Sequence, residues 1–262
     1  MTQLSHHLSS TTPAAVLPNA LHHYLSAPIT IEYLGQGSRN RHWRLSTADM
    51  TCIWREFGPT PPGANRNLER RVLAQLQGHT WVPELLLDLP EGLLFRASPG
   101  AQPLQIPLSG TQRSQLLSAV LTLWQQPIEA PAQDYPALIQ HYASLADRLA
   151  CPVTAALLDV AQHWNPQHFC LIHQDIHPGN LLLTDQGIQL IDWEYAVCGN
   201  PWIDAVALDR MLSLSPAEKR LLQGQLPRLA HADPWMQVSI WLTQLDQLWH
   251  QAQTAQLADS VI

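Results

Sequence analysis

The stretch Leu171-Ile-His-Gln-Asp-Ile-His-Pro-Gly-Asn180, followed by Gln189-Leu-Ile-Asp-Trp-Glu-Tyr195, governs how the rest of the chain is read. Residues 168–173 are a short apolar run that predicts a strand, and Asp175 falls in the loop directly after it. Asn180 lies five residues further on, so one tight loop can present both side chains to the same side. Residues 181–183 and 188–191 predict a strand pair around Thr184-Asp-Gln-Gly187, and Asp192 ends the second of these strands. Strand pairing therefore returns Asp192 to Asn180 despite a separation of twelve residues. One carboxylate that can accept a hydroxyl hydrogen, with two oxygen ligands for a divalent cation, suits phosphoryl transfer.

Working outward, the chain changes character near its first third. Residues 14–25 predict a helix, followed by strands over 29–34, 42–45 and 51–57. A turn at Gly35-Gln-Gly-Ser-Arg-Asn40 joins the first two strands, and Gly58-Pro-Thr-Pro-Pro-Gly63 breaks the chain. Residues 67–76 place Leu68, Val72, Leu73 and Leu76 on one helical face. Residues 84–89 and 92–96 predict a strand pair around Pro90-Glu91. Beyond a hinge at 96–103 the pattern is helical over 111–125, 137–149, 153–164, 202–214, 216–229 and 235–257. The expected architecture is α+β with two lobes. A small β-rich lobe with one helix spans 1–97, and a larger, mostly helical catalytic and substrate-binding lobe spans 98–262.

Composition narrows the function classes. Of 262 residues, 46% are hydrophobic and 13% charged, which is a globular balance and too apolar for disorder. The formal charge of −7, without a Lys/Arg cluster, argues against nucleic-acid binding and is compatible with a cationic substrate. The four cysteines are scattered without a CxxC pair, so reduced thiols in a cytoplasmic protein are expected. The first residues lack a basic start followed by an apolar run, so no signal peptide is expected. No stretch approaches the roughly 20 apolar residues needed to span a bilayer.

The spacing H-x-D-x-x-x-x-N followed by I-D resembles the catalytic loop and metal-binding aspartate of the protein-kinase-like fold. Protein kinases follow that aspartate with Phe-Gly, whereas Trp193-Glu194-Tyr195 stands here. With Gly199-Asn-Pro-Trp-Ile-Asp204, the pattern resembles the aminoglycoside phosphotransferase and choline kinase superfamily. It is closest in motif to the choline/ethanolamine kinases and bacterial thiamine kinases. The resemblance is carried by residues 171–209 and, with weaker motifs, by 30–100.

The resemblance implies a kinase-like fold that uses ATP and Mg2+ to phosphorylate a hydroxyl of a small molecule. By role, Asp175 would orient the acceptor hydroxyl, and Asn180 and Asp192 would hold Mg2+ on the β- and γ-phosphates. His173 would brace the loop through backbone bonds on both sides of its ring, Gly179 would allow a close approach or unusual angle, and Asp204 would tie a helix start to the catalytic loop. The strand cation on the phosphates would be Arg55, paired with Glu69 of the following helix. Gly35, Gly37, Ser38 and Asn40 would form the turn over the phosphates, with the adenine near residues 95–98.

Choline, ethanolamine or thiamine leads as acceptor, as the resemblance and the acidic, aromatic C-terminal region imply, with Glu194, Trp193 and Tyr195 as candidate substrate contacts. An aminoglycoside or amino sugar is the alternative. Trp202, Trp235, Trp241 and Trp249 also follow the catalytic loop and read mainly as helix-packing residues. Two rivals belong to other classes. A nucleotide-binding protein without turnover is disfavoured by the retention of Asp175, Asn180 and Asp192. A metal-dependent hydrolase on His173, His177 and Asp192 is disfavoured because Pro178 and Gly179 break any helix presenting both rings.

Overall fold

The computed structural model describes residues 17–26, 28–37 and 39–259. It divides into two compact units, one of residues 1–59 and 85–97, the other of 60–84 and 98–262.

The first unit is a five-stranded antiparallel sheet in the order β1-β2-β3-β5-β4. Its strands are β1 (Thr30–Gln36), β2 (Arg41–Ser46), β3 (Thr51–Glu56), β4 (Leu85–Leu89) and β5 (Gly92–Arg96). Helix α1 (Asn19–Leu25) packs its Leu21 and Leu25 against Trp43, Leu45, Cys52, Trp54 and Leu94. The period-two alternation of β3 explains this core. Cys52 and Trp54 share the buried face and Arg55 points the other way. The expected helix over 14–25 begins at Asn19, after Pro18, and residues 14–16 lie outside the described residues.

The second unit holds α2 (Arg66–Gln75), α3 (Gly110–Trp124), α4 (Tyr135–Leu145), α5 (Pro152–Ala161), α6 (Trp202–Leu212), α7 (Pro216–Gln223) and α8 (Pro234–Asp259). Short strands complete it. β6 (Gln102–Pro103), β8 (Leu181–Thr184) and β9 (Gly187–Leu190) form one antiparallel sheet, while β7 (Cys170–Ile172) pairs with β10 (Val197–Gly199). Helix α3 lies on β7 and β9, and α8 packs against α4, α5 and α6. The helix starts follow from their caps. Asn65, Asp134, Ser109 and Ser215 each accept a backbone N–H of the first turn, the last two within capping boxes.

Helix α2, read in the sequence with the first lobe, clusters with the second unit. Its N-terminal approach is bonded there: Asn65 N–H donates to Glu194 O at 3.2 Å. Tyr142 of α4 and Trp249 of α8 both donate to Pro62 O, at 3.2 and 3.3 Å. Among the described residues, no helix is long and apolar enough to cross a membrane.

Candidate active site

Strand β7 ends at Ile172, and the loop that follows is shaped by one buried carboxylate. Asp204, in the first turn of α6, accepts the His173 N–H at 3.0 Å on Oδ2 and the Gln174 N–H at 2.9 Å on Oδ1. Trp124 of α3 donates its indole N–H to Oδ2 at 3.2 Å. Burial pushes the Asp204 carboxyl up, against these three donors and the field of His173. Gln174 takes a left-handed φ of 67°, which turns the chain sharply into Asp175. Tyr135 fixes the same bend by donating to Gln174 Oε1 and accepting the Asn200 N–H, both at 3.2 Å. Only glycine fits at 199, since a Cβ there would stand 2.4 Å from the Tyr135 hydroxyl.

The His173 ring is wholly buried and donates through Nε2 to Ile191 O at 3.1 Å. The sequence reading gave it a backbone bond on each side of the ring. Instead, Nδ1 is buried without a hydrogen-bond partner, and the Trp193 ring centroid stands 4.6 Å from that of the imidazole. Burial lowers its pKa against the fields of Asp204, Asp175 and Asp192, so the brace is a neutral imidazole within the field of three carboxylates.

Asn180 closes the loop. Its N–H donates to His177 O at 2.9 Å, and its amide nitrogen donates to Asp175 O at 3.0 Å and Asp175 Oδ2 at 2.8 Å. The amide oxygen of Asn180 is thereby directed away from Asp175. The Ile191 N–H donates to Asn180 O at 2.9 Å, so the β8–β9 hairpin delivers Asp192 beside Asn180 as its strand register requires. Asp192 carries a left-handed φ of 65°, an uncommon angle for a non-glycine residue. For Asp175, burial pushes the carboxyl up, but the His177 and Asn180 contacts and the fields of His173 and His177 outweigh it. The net shift is downward and favours the carboxylate.

These residues fit Mg2+ held on a nucleotide. One amide oxygen and one carboxylate, completed by phosphate oxygens and water, is a common magnesium set. Among the described residues, no group of three or more His, Cys, Asp or Glu is placed to hold a metal ion. His173 and His177 do not converge on a metal, since His173 is buried against Trp193 and His177 is exposed.

Trp193 is 1% exposed, with its indole N–H donated to Leu190 O at 3.0 Å, which is the setting of a brace. Tyr195 is half-buried, 6.2 Å in ring separation from Trp249, and Glu194 is buried. The Asp175 charge reaches the Tyr195 hydroxyl, which burial raises first of all, and also the Asp246 carboxyl, which is exposed and paired with Arg210. Trp241 packs in the core against Tyr135 and Trp164, and Trp202 packs against Trp235.

The proposed nucleotide residues stand in separate units. In the first, the Gly37 N–H bonds Asn40 O at 2.9 Å, closing the β1–β2 turn, and Gly35 sits in a β1 bulge with φ 140°. Ser38 lies outside the described residues. Arg55 is buried, its guanidinium 5.4 Å from the Phe57 ring and 6.0 Å from that of Phe95. In the second unit, Glu69 is buried in the first turn of α2. Sequence reasoning missed Trp124 and Tyr135, which reach the loop from 80 and 39 residues away and leave no local signal. It gave His177 only a discarded metal role, although the residue lies inside the motif.

A two-unit fold with such a loop defines the protein-kinase-like class. Residues 30–226 match the phosphotransferase enzyme family (APH), and the chain belongs to that family. A thiamine kinase of Shigella sonnei is 29% identical over 104 residues, 38% of this chain and 37% of the relative. That match thus spans little more than a third of the relative's length. Among solved structures, choline kinase LicA from Streptococcus pneumoniae superposes with a TM-score of 0.70 at 19% identity, covering 91% of both chains. LicA in complex with AMP gives 0.68 at 21% identity, over 87% of this chain and 85% of that one. At these identities the likeness establishes the shared fold.

Proposed function

We propose that this chain is a small-molecule kinase that transfers the γ-phosphate of ATP to a hydroxyl of a small cationic metabolite, of the choline, ethanolamine or thiamine type, in the cytoplasm. The observation that carries the reading is the bond from the Asn180 amide to Asp175 Oδ2 at 2.8 Å. It couples the proposed base to a proposed metal ligand and leaves Oδ1 of Asp175 for the acceptor hydroxyl. Mg2+, when bound, would neutralise charge on the β- and γ-phosphates, held by the Asn180 amide oxygen and Asp192.

The protein's own part is positioning. Asp175, kept ionised, accepts the hydroxyl hydrogen and aligns the oxygen for in-line attack. Arg55 and the 35–40 turn would hold the triphosphate. The AMP complex of LicA supports a nucleotide in this fold. The cationic acceptor is supported by neighbouring acidic and aromatic groups: the charges of Asp175 and Glu194 both reach Tyr195, and Trp249 stands beside it.

The test is acceptor-dependent ADP release over choline, ethanolamine, thiamine, amino sugars and aminoglycosides. One of the first three should support turnover. Asp175→Asn should bind nucleotide as before yet lose on the order of 100-fold or more in kcat. Wild-type turnover in that variant would remove Asp175 from the mechanism. Turnover confined to aminoglycosides would replace the proposed acceptor class.

A further inference from the structure

We infer that His177 is a positioning residue for the reaction: its Nε2–H steadies Oδ2 of Asp175, so that Oδ1 meets the acceptor hydroxyl. The inference rests on the role proposed for Asp175 above. Three observations carry it. First, the His177 Nδ1 accepts the Gly179 N–H at 3.0 Å, which places the proton of the neutral ring on Nε2. Second, that Nε2 lies 3.7 Å from Asp175 Oδ2, the oxygen that also takes the Asn180 amide. The separation is longer than a closed hydrogen bond, and catalytic hydrogen bonds commonly tighten once substrate is bound. Third, the ring is seated on a glycine. A Cβ at Gly179 would stand 2.8 Å from the His177 Cε1 and 3.0 Å from its Nδ1.

The side chain is 51% exposed, so burial of the imidazole is not what keeps it in place. With Asn180 and His177 both set against Oδ2, rotation of the Asp175 carboxylate is opposed by two contacts. A carboxylate free to rotate would spend less time aligned, and misplacement of about 1 Å at a reacting group can cost on the order of 100-fold.

A rival role for His177 is merely to close the loop through Nδ1. Two substitutions separate the roles. His177→Asn keeps an acceptor where Nδ1 stands but is too short to reach Asp175. His177→Gln carries an N–H out to the position of Nε2 and gives up the turn. Positioning predicts that the Asn variant loses roughly 10- to 100-fold in kcat with the KM for ATP within about two-fold, and that the Gln variant stays within about three-fold of wild type. The opposite ranking, or two variants with wild-type kcat, would overturn the inference.

A second measurement does not depend on turnover. In the full chain labelled with 15N-histidine, the neutral His177 ring should show the Nε2-protonated tautomer, and its Nε2 resonance should move in Asp175→Asn. A ring protonated on Nδ1, or a resonance indifferent to that change, would also overturn it. Absence of acceptor-dependent ADP release from the wild type would sink the proposed function instead, while the resonance still decides the His177–Asp175 contact.

Discussion

Asp204 is the residue on which the loop after β7 turns. Its two oxygens take three N–H donors, two from the loop backbone and one from Trp124. Asp204→Asn must present an NH2 to one or two of them, leaving buried donors unpaired. The expected loss is roughly 3 kcal/mol, read as a lower urea midpoint, and an unchanged midpoint would refute it. Activity should fall further than stability, because the Gln174 bend that aims Asp175 depends on the same bonds. At this scale the sequence was legible where the contacts of the loop are local. Asp175, Asn180 and Asp192 lie within eighteen residues, and their order between two apolar strands is itself the signal. Trp124 and Tyr135, which help hold the bend, come from distant helices, and the His173 Nδ1 is unpartnered inside the core. Neither is written in local spacing.

At the scale of elements, α7 is tied to α3 by one two-pronged pair. The Arg113 Nε and Nη2 donate to Glu218 at 2.8 and 2.7 Å, and its Nη1 caps Leu212 O at 2.9 Å. Glu218 also closes the capping box of α7. The hydrogen bonds from Arg113 hold its carboxyl at about 2, below its ordinary 4.5, despite some burial. Because the folded value is the lower one, the stabilisation is complete above about pH 4.5 and is lost as pH falls toward 2. Glu218→Gln should cost about 1–2 kcal/mol at neutral pH, given the partial exposure of the pair. The gap to wild type should close on acidification, and a gap independent of pH would contradict the assignment.

Most helices were legible because their caps are, and β8 with β9 because Gly187 makes their turn. Helix α7 stops at Gln223, six residues before the expected end, with Gly224 following. Strands β6 and β10 have two and three residues, too few to show a period.

For the whole molecule, the decisive quantity is whether nucleotide and metal bind as one. ADP at 100 times its Kd should stabilise the chain by about 2.7 kcal/mol, a shift of roughly 5–10 °C in Tm. The shift should require Mg2+ and vanish in Asp192→Ala. Equal stabilisation by ADP with and without Mg2+ would argue against Asn180 and Asp192 as ligands. The division into a sheet-rich and a helix-rich unit was legible from the change in periodicity past residue 100. The placement of α2 was not, since the bonds at Pro62 and Asn65 that attach it join residues far apart in sequence.

One of those bonds has an optical consequence. Seven of the ten tryptophans are sealed in cores, whereas the Trp249 indole is pinned on Pro62 O and half open beside Tyr195. A cation arriving next to Tyr195 would alter the electric field across this fixed chromophore. The difference in emission between wild type and Trp249→Phe should therefore shift on titration with the true acceptor, giving an unlabelled chain its own spectroscopic gauge of occupancy.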